Sequence, residues 1–268
     1  MDRMDFIQGV TRTRVLENRL LSRTRIDRMI DAKDIDEIFK ILNETEYSSS
    51  LAGATRGEEY EKILSNELKR VYKLMREISE ESVVVDLLAL KYDYHNLKVL
   101  IKEKMLNKDL SHLYVPIGSF DLQTLKNSIV EGNLNDLPEE FGNAIEDVLK
   151  DYEINRDPQR IDIILDKIYF EHLYEMAKDT KVDLFINYVK DMIDFLNIKS
   201  AIRLKNQGKD VKFFEDVILP NGNIDTDIIL YTLNDSIDNM IHKFRNSKIS
   251  FGLLKGLESY RNTNRLSD

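Results

Sequence analysis

The segment DYHNLKVLIKEKMLNKDL, residues 93–110, decides the fold, because the chain contains it twice. Its second copy is DFLNIKSAIRLKNQGKDV, residues 194–211, displaced by 101 positions. Seven of eighteen positions are identical: Asp93/Asp194, Asn96/Asn197, Lys98/Lys199, Ile101/Ile202, Lys104/Lys205, Lys108/Lys209 and Asp109/Asp210. Four more are close in kind, including Tyr94/Phe195 and Leu97/Ile198. The matched apolar positions 94, 97, 100 and 101 (195, 198, 201 and 202) fall at i, i+3, i+6 and i+7, one stripe of an α-helix. After each copy comes a glycine loop and a short helix, PIGSFDLQTL and PNGNIDTDII, with Ser119 and Asn223 read as N-caps and Asp121 and Asp225 in the first turn. AKDIDEIF at the start of the chain, with Asp34 as cap and Asp36 in the first turn, reads as a third and shorter copy. A period near 100 residues is too long for a solenoid and points to a duplicated helical unit.

The rest of the chain reads the same way. Residues 14–30 (RVLENRLLSRTRIDRMI) keep a helical spacing of apolar residues with arginines outside. Asp34 and Glu37 stand at capping-box spacing before a second helix, and SSSLAGATRG (48–57) reads as a loop. Helical patterns follow over about 58–79 and 82–107. Next come a capped helix ending at Gly132, a helix between Pro138 and Pro158, two long amphipathic segments, and two or three helices at the end. No period-2 alternation bounded by hairpin turns is sustained. With four prolines and ten glycines in 268 residues, the expected class is all-α.

Composition narrows the function classes. Hydrophobic residues make up 42% and charged residues 32%, a globular balance. The absence of cysteine removes disulfides, thiolate metal sites and cysteine nucleophiles. A net charge of −9 argues against a general nucleic-acid binder. The most apolar run, SVVVDLLAL (82–90), is far short of a membrane span, and the N-terminus lacks the core of a signal peptide. A cytoplasmic location is therefore expected.

No phosphate loop, dinucleotide fingerprint, nucleophile elbow or zincin motif is present. His95 is replaced by Leu196 in the second copy, which argues for packing or an edge position rather than catalysis. In YFEHLYE (169–175), Glu171 and His172 are adjacent and point about 100° apart, unlike a di-iron Glu-x-x-His pair. They read as a charged edge beside Ile168, Tyr169 and Leu173. No catalytic, cofactor or metal residue is expected. The arginines at 12, 14, 19, 23, 25 and 28 form either a solvated face or a docking surface for an acidic partner.

The repeated Asp-aromatic-x-Asn-[Leu/Ile]-Lys helix, together with RVLENRLL and Thr45-x-Tyr47 near the start, resembles the C subunit of bacterial and archaeal V/A-type ATPases, the family of the eukaryotic V-ATPase d subunit. Arg14, Val15, Glu17, Leu20 and Leu21 match the family's opening helix, and YDYHNLK (92–98) matches its most recognisable segment. The resemblance implies three pseudo-symmetric helical lobes forming a funnel, here approximately 1–85, 86–185 and 186–268. It also implies a non-catalytic, cofactor-free adaptor of the central rotor. Its partners would be the D and F shaft subunits and the membrane c-type (proteolipid) ring, and the adaptor would be peripheral to the cytoplasmic face of the membrane. The complex would move H⁺ or Na⁺, or make ATP. Family members continue past ESYRNTNRLSD, so the third lobe is expected to be incomplete. Exposed Arg12, Arg19, Arg23, Lys98 and Lys102 are the expected partner contacts. Two rival readings are an acid-rich helical metal-dependent hydrolase and a helical scaffold unrelated to rotary pumps.

Overall fold

A computed structural model describes residues 7–51, 60–79 and 82–266, and among these every regular element is helical. In chain order the α-helices are α1 (Ile7–Glu17), α2 (Arg23–Ile30), α3 (Ile35–Asn43), α4 (Ser48–Leu51), α5 (Tyr60–Ile78), α6 (Val83–Leu106), α7 (Leu122–Glu131), α8 (Glu139–Asn155), α9 (Pro158–Asp179), α10 (Asp183–Asn206), α11 (Val211–Val217), α12 (Thr226–Tyr231), α13 (Ile237–Phe244) and α14 (Ser250–Thr263). Short 3₁₀ turns lie at Ser111–Leu113 and Thr232–Asn234. The two copies of the repeat form the C-terminal parts of α6 and α10.

The starts and stops follow local chemistry. Pro158 opens α9 where its missing N–H costs nothing, behind Asp157, whose carboxylate accepts from the Gln159 amide. Gly132, at φ +75°, ends α7 in the left-handed region. Asp34 caps α3 by accepting from Glu37 N at 2.9 Å. Glu37 closes the box one residue early, accepting from Lys33 N rather than from the cap's own amide.

Two expected boundaries change. The helical rhythm of residues 14–30 is broken at 18–22, where Ser22 takes the Arg25 amide on its hydroxyl and starts α2 afresh. Ser48–Leu51, expected as loop, make a turn of helix, while 52–57 of that loop lie outside the described residues.

The chain divides into two compact units, one of residues 1–96 with 113–122, the other of residues 97–112 with 123–268. In the first, α1 lies against α5, while α2 packs on α3, α3 on α4 and α4 on α5. Its buried residues include Ile41, Ile63, Ile78, Leu87, Leu90 and Tyr94. In the second, α8 packs on α9, α9 on α10, and α10 on α11, α12 and the 3₁₀ turn, with α13 against α14. One core there joins Ile198, Ile202, Phe214, Ile229, Met240, Phe244, Leu253 and Leu257. Burying each such large side chain contributes roughly 1.5–3 kcal/mol. The capping of α2 and α3 recurs in α12 and α13. Ser22 and Asp225 open the first helix of each set, Asp34 and Ser236 the second, each with a side-chain oxygen on a backbone amide.

Clasps and a candidate docking surface

The residues shared by the two repeat copies do much the same work in each copy. Asp93, on α6, is fully buried and accepts from the backbone amides of Ser119 (3.0 Å) and Phe120 (3.1 Å). Asp194, on α10, is equally buried and accepts from Asn223 N (3.0 Å) and Ile224 N (3.1 Å). Three residues along each helix, Asn96 holds both backbone groups of Val115, taking its N–H at 2.8 Å and giving to its C=O at 2.9 Å. Asn197 does the same with Leu219, at 2.8 Å each way. An Asp and an Asn at i and i+3 share one helix face, so together they clasp the Pro-x-Gly loop that follows: Val115–Phe120 in one unit, Leu219–Ile224 in the other.

Glycine is required inside each clasp. A Cβ on Gly118 would lie 1.8 Å from Asp93 Oδ1, and one on Gly222 would lie 2.2 Å from Asp194 Oδ1. Burial pushes both carboxyls above their ordinary value, against the pull of the amide donors. Ser119 and Asn223 are thereby corrected from N-caps to clasp donors. Their amides are spent on the aspartates, and their side chains donate to Asp86 (2.7 Å) and Asp191 (2.8 Å). The helices start later, with α7 at Leu122 and α12 at Thr226, where Asp225 is the cap.

Two further identities belong to the same device. Lys104 Nζ donates to the Ile129 carbonyl (2.5 Å), and Lys205 Nζ donates to the Asp235 carbonyl. Asp109 accepts from Ser111 N and Asp210 from Phe213 N, each starting the next short helix. Ile101 and Ile202 are core. The duplicated signature is thus mostly a set of side chains that satisfy the backbone of the segment that follows. Phe195 departs from it: it is 40% exposed where Tyr94 is 1% exposed.

His95 and His172 have defined neighbours. His95 Nε2 lies 2.8 Å from the Leu113 carbonyl, next to the clasp. His172 meets the Phe141 ring edge-on at 6.0 Å, and burial holds its pKa below the ordinary value, with Glu140 opposing. Packing against α8, rather than a charged edge, explains its place beside Leu173. Among the described residues no group of three or more His, Asp or Glu side chains is arranged to hold a metal ion, and no helix is long and apolar enough to cross a membrane.

The five expected contact residues fall in different settings. Arg12 is exposed on α1, and Arg23, 80% exposed in its side chain, pairs with Asp27 one turn on. Arg19 reaches Glu46 at 3.5 Å and stands at the rim of an open groove of about 780 Å³ in the first unit. Leu16, Leu20, Leu64, Leu68, Val71 and Leu74 line that groove. Leu20 is 70% exposed, so the apolar face of the opening helices is uncovered here. A linked set of charges, Arg19–Glu46–Arg70–Glu67, borders it. In the second unit, Lys98 and Lys102 form ion pairs with Asp166 (2.5 Å) and Asp162 (2.7 Å) of α9. They are half-buried and brace α6 against α9.

Residues 9–268 match the family model described as ATP synthase (C/AC39) subunit. Among individual proteins, the chain is 28% identical to the C subunit of the V-type sodium ATPase of Enterococcus hirae, over 80% of this chain and 65% of that one. It is 24% identical to the C subunit of the A-type ATP synthase of Thermococcus kodakarensis, over 85% of this chain and 64% of that one. It is 25% identical to the equivalent A-type ATP synthase protein of Methanocaldococcus jannaschii, over 74% and 53%. The chain therefore spans less than two thirds of the length of each of these relatives.

Proposed function

Because the chain belongs to the ATP synthase (C/AC39) subunit family, we propose that it serves as a non-catalytic adaptor in the central stalk of a V/A-type rotary ATPase. It joins the D–F shaft to the membrane c-type ring, on the cytoplasmic side and without a span of its own. The observation that carries this reading is the family match over residues 9–268. The duplicated clasps support it physically. An element that passes torque has to resist deformation, and each clasp ties a loop to a long helix through at least four hydrogen bonds, with a buried carboxylate and a buried amide.

The reading includes three pseudo-symmetric lobes, approximately 1–85, 86–185 and 186–268, as parts of a funnel. The recurrence of the α2 and α3 caps in α12 and α13 supports a third copy near the start of the chain. Arg12, Arg19 and Arg23 are proposed as partner contacts on the first unit, and Lys98 and Lys102 as partner contacts on the second. Such rim charges act more on association rate and orientation than on affinity.

The test is calorimetric titration of the chain into purified D–F complex, with Arg12→Glu/Arg19→Glu/Arg23→Glu beside it. Binding near one to one, weakened and made less salt-sensitive by the triple reversal, is the expected result. A folded chain that binds neither D–F nor the c-ring overturns the proposal.

A further inference from the structure

On the first unit, the outer side of the clasped loop faces α5 across an open groove of about 440 Å³. One wall is Pro116, Ile117 and Gly118; the other is Lys69, Tyr72, Lys73 and Arg76, with Glu77 at one end. Lys69, Lys73 and Arg76 follow one another at i, i+4 and i+7, so three cations line a single edge of α5. Lys69 and Lys73 are exposed, and among the described residues neither forms an ion pair. Arg76 is fixed, giving hydrogen bonds to Ser119 Oγ (3.3 Å) and to the Ile117 carbonyl, and lying 3.7 Å from Asp86. Tyr72 donates to the Leu88 carbonyl and stands edge-on to Tyr92 at 5.5 Å.

Both walls are therefore set before anything binds, the loop by Asp93 and Asn96, the helix side by Tyr72 and Arg76. Preorganisation of this kind lowers the cost of ordering a ligand. The cationic edge is not a by-product of the duplicated architecture. α9 precedes α10 as α5 precedes α6, and the C-terminal half of α9 exposes Glu171, Glu175, Lys178 and Asp179, with Lys178 already paired to Glu175.

We propose that this groove is a docking site for an extended, acidic segment of a neighbouring protein. Carboxylates would reach Lys69, Lys73 and Arg76, and the segment's backbone would lie along Pro116, Ile117 and the Tyr72 ring. Charge complementarity selects the occupant, because a local cationic groove in a chain of net charge −9 attracts a short acidic strand more readily than a broad anionic surface. The proposal deepens the adaptor reading, in which the chain works between protein neighbours.

The test uses the full chain and a fluorescein-labelled Glu/Asp-rich peptide, followed by anisotropy at low ionic strength. Lys69→Glu/Lys73→Glu is compared with Lys126→Glu/Lys212→Glu, which changes net charge equally at exposed lysines outside the groove. Circular dichroism checks the fold of both. The groove variant is expected to lose affinity by about tenfold or more and the control by less than about twofold. Equal losses in the two variants, or no binding by the parent, would overturn the proposal. So would binding of phosphatidylglycerol vesicles, but not the peptide, through Lys69 and Lys73. Titration of the parent with D–F, run in parallel, separates the two readings: peptide binding without D–F binding leaves the groove standing and removes the adaptor role.

Discussion

Replacing Gly118 by alanine tests the clasp at its tightest point. The added Cβ would sit 1.8 Å from Asp93 Oδ1 and 2.5 Å from its Cγ. An ordinary contact needs more than 3 Å, so the carboxylate must retreat by over about 1 Å, which stretches its bonds to Ser119 and Phe120 beyond hydrogen-bonding range. The side chain is fully buried and finds no solvent to replace those donors. Hydrogen bonds to a charged group are worth about 1.5–3 kcal/mol each, and some slack remains in the loop, so the expected loss is about 2–4 kcal/mol.

Gly118 itself does not need a positive φ. Once Asp93 has been shortened to alanine, the same Gly118→Ala change should become neutral or stabilise by about 0.4–1 kcal/mol through the unfolded chain. Urea unfolding of the four proteins of this cycle, followed by far-ultraviolet circular dichroism, gives the coupling. Gly222→Ala with Asp194→Ala repeats the experiment in the second unit. If Gly118→Ala costs the same with and without Asp93, the clash reasoning is wrong.

Other perturbations carry their own signs. Asn197→Ala leaves the Leu219 N–H and C=O without their partner and should cost about 2–4 kcal/mol, read from the urea midpoint. Asp93 and Asp194 have folded pKa values raised above 3.8, so the native state takes up their protons first; their contribution to stability is fullest below 3.8 and is lost as pH rises through the folded values. Asp151 is lowered by its hydrogen bonds from Arg160, so its contribution is present above 3.8 and lost as pH falls through its folded value. Carboxyl-carbon NMR titration should place the first two above 3.8 and the third below. His172, lowered by burial, should titrate below 6.5, and native stability should fall as pH drops from 6.5 through its folded value; substitution by Gln should flatten that part of the pH–stability curve.

Much of the fold was legible because long helices write their period into the sequence. α6, α9 and α10 each bury a stripe at three- and four-residue spacing, and Pro138, Pro158 and Gly132 mark helix ends between them. The break at 18–22 was not legible, since Leu16, Leu20 and Leu21 continue the rhythm across it and the decisive event is a single serine hydroxyl capping α2. The clasps were half visible. The repeat identified Asp93, Asn96 and Lys104 as shared, yet periodicity reads a polar residue beside an apolar stripe as solvent-facing. It has no way to register that the carboxylate and amide are buried against backbone twenty or so residues away. The recurrence of Pro-x-Gly after each copy was the available sign, because a residue without a side chain opposite a shared Asp implies close approach.

One property of the clasp helices reaches past their packing. Asp93 and Asn96 reach the same loop only because three residues separate them on an unbroken spiral, and Asp194 and Asn197 repeat that spacing. Adding a single residue between the members of either pair would turn one by about 100° relative to the other. No side-chain rearrangement absorbs such a turn, so the loop would have to give up one of its two partners. The segments 93–96 and 194–197 are thus intolerant of insertion and deletion even at positions where substitutions would be harmless.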